Sequence, residues 1–253
     1  MRWIGLKTLV FREFRVSVRF WSVTLAPPVI TTILYFTIFG EIIGGRIGSI
    51  DGVDYIQYLA PGLIVLWVIP YSFGHTAGGL LGARHFKYIE ELLVSPQPRW
   101  VIMAGYVVGG MIRGLLVGMA VGLTTLLFTG MDVHSVAVSL AALLLAALVS
   151  ALVGFITAML AKSFEHVTTI QILILTPLTY VGGVFSPIST LPNWAQELSL
   201  VNPMFYMVNA FRFGFLGVSD VSVSAAFCIV FACGAVSLLA AVALMARGSG
   251  MRE

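Results

Sequence analysis

The sequence predicts an all-α membrane protein with six transmembrane helices, an N-terminal amphipathic interface helix, and re-entrant outer helices between spans five and six. Three observations carry that prediction. Of 253 residues, 59% are hydrophobic and 10% charged, with a mean hydropathy of +1.00, whereas soluble domains are about half apolar and about a quarter charged. The apolar residues gather into runs long enough to cross a bilayer, about 20 residues each. Lys and Arg cluster beside alternate ends of those runs.

Six runs qualify, over 20–40, 55–82, 104–128, 136–161, 167–185 and 222–246. A seventh stretch, 204–217, is too short to span and carries Asn209 and Arg212; it reads as re-entrant or interfacial. Placing the N-terminus inside puts Arg2, Lys7, Arg12, Arg15, Arg19, Arg84, Lys87, Arg99, Lys162, Arg247 and Arg252 on the inner side. Only Arg46 and Arg212 fall outside, among the acids Glu41, Asp51, Asp54, Asp132, Glu197 and Asp220. By the positive-inside rule both termini are cytoplasmic and the whole chain, 1–253, is one transmembrane domain.

Residues 1–19 form an interface helix. Thr8, Arg12, Arg15 and Arg19 are spaced 4, 3, 4 and make one stripe, with Leu6, Val10, Phe14 and Val18 mostly away from it. Plain positive-inside anchoring explains the stripe equally well. Pro27-Pro28 interrupts the first run early, and no small-residue cleavage site follows it, so the segment is not a cleavable leader.

Two runs carry small residues at every fourth position: Gly110, Gly114, Gly118 and Gly122, then Ala142, Ala146, Ser150, Gly154 and Ala158. Such stripes let helix backbones approach closely, and these two are expected to pack on each other. Cys228 and Cys233, five apart in one apolar run, point to different faces and read as small core hydrophobes rather than a disulfide.

Several chemistries are not expected on this chain. No acidic residue lies within the six runs, and proton-coupled carriers usually need such a relay. His75 and Arg113 are the remaining intramembrane ionisable groups. His75 reads as a packing residue, and Arg113 reads as snorkelling from near the inner end of its helix. No Walker-type Gly-rich loop, HExxH, paired-cysteine metal site or Gly-x-Ser-x-Gly is present. Catalytic, cofactor-binding and metal-binding residues are therefore expected to be none, and nothing points to nucleic acid.

Two loops stand out. The inner segment ARHFKYIEELLVSPQPRW has a short helical pattern with Phe86, Ile89 and Leu93 on one side, charges at Arg84, Lys87, Glu90 and Glu91, and Pro96 and Pro98 as stops. A mixed-charge helix with exposed aromatics suits a groove on a soluble partner, although an ordinary solvated loop fits too. The outer connection places Trp194, Leu198 and Val201 on one face of a short helix, opposite Asn193, Gln196 and Glu197, as in an interfacial amphipathic helix.

The stretches YIEELLVSPQPRWVIMAGYVVGG (88–110) and LTPLTYVGGVFSPISTLPNWAQELSLVNPMFYMVNAFRFGFLG (175–217) resemble the ABC type-2 exporter permease family, as do WSVTLAPPVITTILYFTIFG (21–40) and YLAPGLIVLW (58–67). The resemblance covers essentially the whole chain and is closest to short bacterial drug, polysaccharide and lipo-oligosaccharide exporter permeases. It implies a bacterial inner-membrane homodimer working with two copies of a separate soluble ATPase, which holds ATP and Mg; this chain itself would be non-catalytic and hold no cofactor. The 83–100 region would contain the coupling helix, with Arg84, Phe86, Lys87, Tyr88, Glu90 and Glu91 at the ATPase, and the loop with Phe164 and Glu165 as a smaller contact. Arg12, Arg15 and Arg19 would sit on the interfacial helix. The outer re-entrant segment 186–217, with Trp194, Asn202 and Pro203, and Phe185 just before it, would form the outer gate. Spans one, two and five would line a path for an amphiphilic, lipid-linked or glycan-type substrate or a drug. The rival reading is a self-contained carrier or channel without an ATPase.

Overall fold

The structure is a computed structural model and describes residues 2–19, 21–43, 48–50, 52–94 and 98–247. Arg46, Asp51, Pro96 and the 248–253 tail with Arg252 lie outside the described residues. Helix α1 (Arg2–Arg19) leads into α2 (Trp21–Tyr35), which continues as π-helical turns over Phe36–Ile43. A two-residue hairpin, β1 (Ser49–Ile50) with β2 (Val53–Asp54), precedes α3 (Tyr55–His85). Then follow α4 (Tyr88–Val94), α5 (Arg99–Thr129), α6 (Val136–Leu160) and α7 (Phe164–Ile170). A π-helical turn (Gln171–Leu175) joins α7 to α8 (Thr176–Val181), and a 3₁₀ turn (Ile188–Thr190) precedes α9 (Asn193–Val201), α10 (Pro203–Leu216) and α11 (Val223–Arg247).

Five helices are long and apolar enough to cross a membrane: Trp21–Gly40, Tyr55–His85, Arg99–Thr129, Val136–Leu160 and Val223–Arg247. This is an all-α membrane architecture. The predicted run 167–185 is instead built from α7, the π turn and α8 as one interrupted helix. Pro27 and Pro28 lie inside α2 without ending it; proline is tolerated within membrane helices where neighbours re-satisfy the backbone.

The bundle is organised around α3. Its residues Leu59, Ala60, Leu63, Val65, Val68, Ile69, Phe73, Ala77 and Leu80 are all fully buried. Both small-residue stripes pack on this helix, not chiefly on each other. A Cβ on Gly114 would stand 1.9 Å from Ser72 Oγ, one on Gly110 2.7 Å from the Ser72 carbonyl, and one on Gly154 2.5 Å from the Phe73 carbonyl. Spacing reveals that a helix face is small; it does not identify the helix that fills the groove.

The two ends of the bundle differ. At one end lie α4, the C-termini of α3, α6 and α11 and the N-termini of α5 and α7. Arg99 Nη1 donates to the Met245 carbonyl at 3.1 Å, and Arg84 Nη1 to the Ala158 and Ala161 carbonyls at 2.5 and 3.1 Å. Cations on terminal carbonyls complement the helix dipole. At the other end a cap forms from α8, α9 and α10. The chain reaches it along Phe164–Val181 and leaves it by α11. Ser135 N donates to the Gly214 carbonyl at 2.7 Å, and Tyr55 Oη to the Phe185 carbonyl at 3.1 Å.

Inside the cap, α10 is too short to span but is buried on most sides. Arg212 is fully buried. Its guanidinium donates to the Gly183 carbonyl, reaches Asp220 Oδ2 at 3.4 Å and lies 4.0 Å over the Tyr58 ring. Asn209 Oδ1 accepts from Asp220 N at 2.9 Å. Gly183 has φ +79, which the left-handed turn that presents its carbonyl requires. The Arg212 bond, with that from Tyr55 to the Phe185 carbonyl, satisfies two carbonyls that this irregular backbone would otherwise strand.

Candidate functional site

The basic end presents the predicted coupling segment. After His85 the chain turns sharply at Lys87, whose φ is +61, and α4 projects from the bundle. Phe86 is 72% exposed, and Lys87, Glu90 and Glu91 are exposed. Ile89, by contrast, is buried. Phe86 and Ile89 therefore do not share a face: the kink at Lys87 breaks the helical phase between them. Nothing is described for the Leu93 side chain. Arg84 is also displaced from its predicted role. It sits in the last turn of α3, half-buried, and caps the carbonyls at the end of α6.

The structure brings the 162–165 loop beside this segment. The Phe164 ring lies 5.9 Å from that of His85, edge to face. Arg84, His85, Lys87, Lys162, Ser163 and Phe164 line a surface hollow of about 290 Å³. Glu165 is exposed at the first turn of α7.

Helix α1 is turned differently from its basic stripe. The buried face of α1 is Gly5, Leu9, Glu13 and Ser17, and it packs on α5. The fit is close: a Cβ on Gly105 would meet Leu9 Cβ at 3.0 Å, and one on Gly109 would meet Glu13 Cβ and Cγ at 2.7 Å. Arg15 and Arg19 stay exposed, Arg15 lying 4.9 Å over the Phe11 ring. Arg12 turns inward, toward Tyr106 (Oη at 3.3 Å) and within 5.9 Å of the Tyr88 ring on α4.

Behind these elements lies a polar cluster that sequence reasoning did not assemble. Glu13, 6% exposed, accepts from Arg12 Nη2 at 2.6 Å through Oε1 and contacts His75 Nε2 at 3.0 Å through Oε2. Arg113 Nη1 lies 3.1 Å from His75 Nδ1, and its Nη2 donates to Thr24 Oγ1 at 2.8 Å. Arginine has no acceptor. His75 Nδ1 therefore faces Arg113 as the acceptor, and its Nε2 is the side that donates to Glu13. Burial pushes the Glu13 carboxyl up, but the hydrogen bonds from His75 and Arg12, with the Arg12 charge, outweigh it and hold the carboxyl below its ordinary 4.5.

Two expectations change here. Arg113 does not snorkel; it lies near the middle of the 31-residue α5 and bonds inward to α3 and α2. A carboxylate does reach the apolar body, supplied by α1 and not by one of the long apolar helices. The cluster faces a cavity of about 750 Å³ between α1, α3, α5 and the π turn, lined also by Tyr71, Gly74, Gly78, Tyr88 and Gln171.

At the cap, the predicted gate residues separate. Phe185 stacks on Tyr180 (5.5 Å) and touches Tyr35 (5.7 Å) and Phe39 (5.4 Å), so it closes the top of the groove between α2 and α8. Tyr35 and Tyr180 hydroxyls meet there at 3.2 Å. Asn202 is a buried joint: Nδ2 donates to the Leu178 carbonyl at 2.6 Å and Oδ1 caps Met204 N at 3.0 Å. Pro203 opens α10 as its first residue. Trp194, Leu198 and Val201 point outward, 69%, 53% and 83% exposed, while the small residues Ala195 and Ser199 dock α9 on the bundle. Among the described residues no group of three or more His, Cys, Asp or Glu is placed to hold a metal.

Comparison with known proteins matches this architecture to one family over most of its length. Residues 5–216 match the family model described as ABC-2 type transporter. The chain is 42% identical over 251 residues to the inner membrane transport permease YadH of Escherichia coli K12, covering 99% of this chain and 98% of that one. It is 24% identical over 197 residues to nodulation protein J of Rhizobium leguminosarum bv. viciae, covering 76% of this chain and 73% of that one. A family match across most of the chain, joined to a relative of this identity, settles the assignment: the chain belongs to the ABC-2 type transporter family, as a multi-pass membrane permease.

Proposed function

We propose that this chain is the membrane subunit of an ATP-driven exporter in the bacterial inner membrane, a homodimer served by two copies of a separate ATPase. The observation that carries the reading is α4. It projects from the basic end with Phe86, Lys87, Glu90 and Glu91 exposed, yet it is tied to the rest of the bundle. Tyr88 faces Arg12 of the interface helix, and His85 faces Phe164 of α7. A push on α4 would reach α1 through Tyr88 and the end of α3 through the turn at Lys87; α3 in turn bears on α7 through His85. ATP binding closes the ATPase dimer, α4 moves, and the two permease copies rock to open the path outward. ATP shifts this equilibrium only by its differential affinity for the two states.

Six spans with both termini inside fit this reading. The interrupted helix Phe164–Val181 runs from the basic end to the cap, which lets α6 and α11 both return to the basic end. The cap formed by α9 and α10 then lies outside as re-entrant helices, and α1 lies along the inner interface. The inner-membrane location is supported by the name of the Escherichia coli relative.

The test is co-purification with a soluble ATPase subunit. Phe86→Ala should weaken association more than Lys87→Ala, because buried aromatic anchors cost about 2 kcal/mol or more on truncation and rim charges much less. Wild-type association and coupled hydrolysis in a Phe86→Ala, Glu90→Lys, Glu91→Lys triple variant would place the contact elsewhere.

A second reading keeps support from one observation. Glu13 and His75 form a carboxylate–imidazole pair at 3.0 Å inside the apolar body, the groups a proton-driven carrier uses. An uncoupler separates the two: it should leave ATP-driven export intact and abolish carrier-type transport.

A further inference from the structure

Arg113 is the one member of the buried cluster whose charge meets no carboxylate directly among the described residues. Glu13 is already engaged by Arg12 and His75. The partners of Arg113 are an imidazole nitrogen and the Thr24 hydroxyl. Arg12 and Glu13 offset each other, so Arg113 leaves the cluster with an excess of positive charge in a largely apolar body. Arg113 is part-buried, so its charge is partly desolvated without a direct counter-ion, and it borders open space.

That space is large and shaped. The cavity holds about 750 Å³, within the usual range of about 300–1,000 Å³ for small-molecule sites. Gly74 and Gly78 form part of its wall, and a Cβ at Gly78 would meet nothing within 4 Å. It shares Pro70, Tyr71 and Gln171 with a second chamber of about 270 Å³ that runs toward Tyr180 past Leu66, Trp67 and Leu175. The lower chamber is cationic and rich in hydrogen-bond donors; the upper one is apolar and ends under the Tyr35–Tyr180 bridge.

We propose that this paired cavity binds an amphiphile by an oxyanion headgroup, with Arg113 as its charged contact and the apolar tail lying along the upper chamber. The proposal rests on the export reading and assigns its substrate class: an anionic, phosphate-like or carboxylate head on a hydrocarbon body, entering from the inner half of the membrane. Guanidinium is suited to that head because its planar donors bond oxyanions in pairs. Cationic amphiphiles are disfavoured at the same place by the uncompensated charge.

The experiment uses the purified full chain in an uncharged detergent, without any ATPase. Dodecyl phosphate, dodecanoate, an uncharged dodecyl glycoside and inorganic phosphate are compared by native mass spectrometry and by their shift of the unfolding temperature. Dodecyl phosphate and dodecanoate should bind saturably, with the other two at least tenfold weaker. Arg113→Gln should lose at least tenfold in affinity, Arg113→Lys should recover most of it, and Arg15→Gln on the exposed face of α1 should change nothing. Gly78→Leu should exclude the ligand while leaving the charge cluster intact, and it decides the matter should Arg113→Gln not fold. Wild-type affinity in Gly78→Leu overturns the proposal, as does equal binding of the uncharged glycoside. Inorganic phosphate binding as tightly as dodecyl phosphate overturns it too, since the site would then take a free anion. Because binding is read without the ATPase, a negative result here leaves subunit association standing, and failed association leaves this result standing.

Discussion

Replacing Glu13 tests how α1 is held to the bundle. Its carboxylate makes two short contacts, 2.6 Å to Arg12 and 3.0 Å to His75, at 6% exposure. Breaking a buried charged pair by removing one partner costs about 3–5 kcal/mol. The Arg12 side chain is 39% exposed and can turn to water, so the expected cost of Glu13→Ala falls to about 2–3 kcal/mol. At about 2–4 °C per kcal/mol for a chain of this size, the purified protein should unfold roughly 4–12 °C lower. Glu13→Gln keeps the shape and one acceptor and should lose about half of that. The pH dependence has a definite sign. The folded-state carboxyl lies below its ordinary 4.5, so its stabilisation is fully present above 4.5 and is lost as pH falls through the lower folded value. The gap between wild type and Glu13→Gln should therefore be constant from neutral pH down to 4.5 and shrink only below it. The assay is a thermal melt of the full chain in detergent, with Arg15→Ala as the exposed control. A Glu13→Ala melt equal to that of Arg15→Ala, or a gap that closes above 4.5, would refute the reasoning.

Gly114→Leu and Gly154→Leu should abolish folded yield, because their new Cβ atoms would stand 1.9 Å from Ser72 Oγ and 2.5 Å from the Phe73 carbonyl; Gly78→Leu should express normally, and gel-filtration yield compares the three. Arg212→Met should cost about 3–5 kcal/mol by removing the cation that Asp220 and the Gly183 carbonyl face, lowering the melting temperature while ATPase association in a pull-down stays at the wild-type level. A cysteine at Asn193 should be labelled by an impermeant reagent in intact cells and one at Lys87 should not; the reverse pattern would invert the topology.

The long elements were legible because a bilayer demands long apolar runs, and five of the six proposed spans appear as helices long and apolar enough to cross, at nearly the expected positions, the first of them ending in π-helical turns. The fifth run, 167–185, is helical too, but the π turn at Gln171–Leu175 interrupts it, and no residue in that stretch announces a π turn. The small-residue stripes were visible; their shared partner α3 was not, because a groove does not name the ridge that fills it. At the coupling segment, periodicity alone put Phe86 and Ile89 on one face, and the left-handed φ at Lys87, unusual for a lysine, broke that phase. Glu13 was hidden beside Arg12 in a helix read by its basic stripe. The signal that could have found it is the i, i+4 row Gly5, Leu9, Glu13 and Ser17 flanking that stripe, matching Gly105 and Gly109 on α5 at the same spacing. Arg113 was judged by distance from a run's end; the paired structure places it mid-helix beside His75, a contact between residues 38 apart in sequence.

The most direct test of the central claim is transport by the full chain reconstituted in vesicles with its co-purified ATPase and a labelled anionic amphiphile. The account predicts movement that requires hydrolysable ATP, stops with a non-hydrolysable nucleotide and persists with an uncoupler. Movement without the ATPase, abolished by the uncoupler and indifferent to nucleotide, would contradict it.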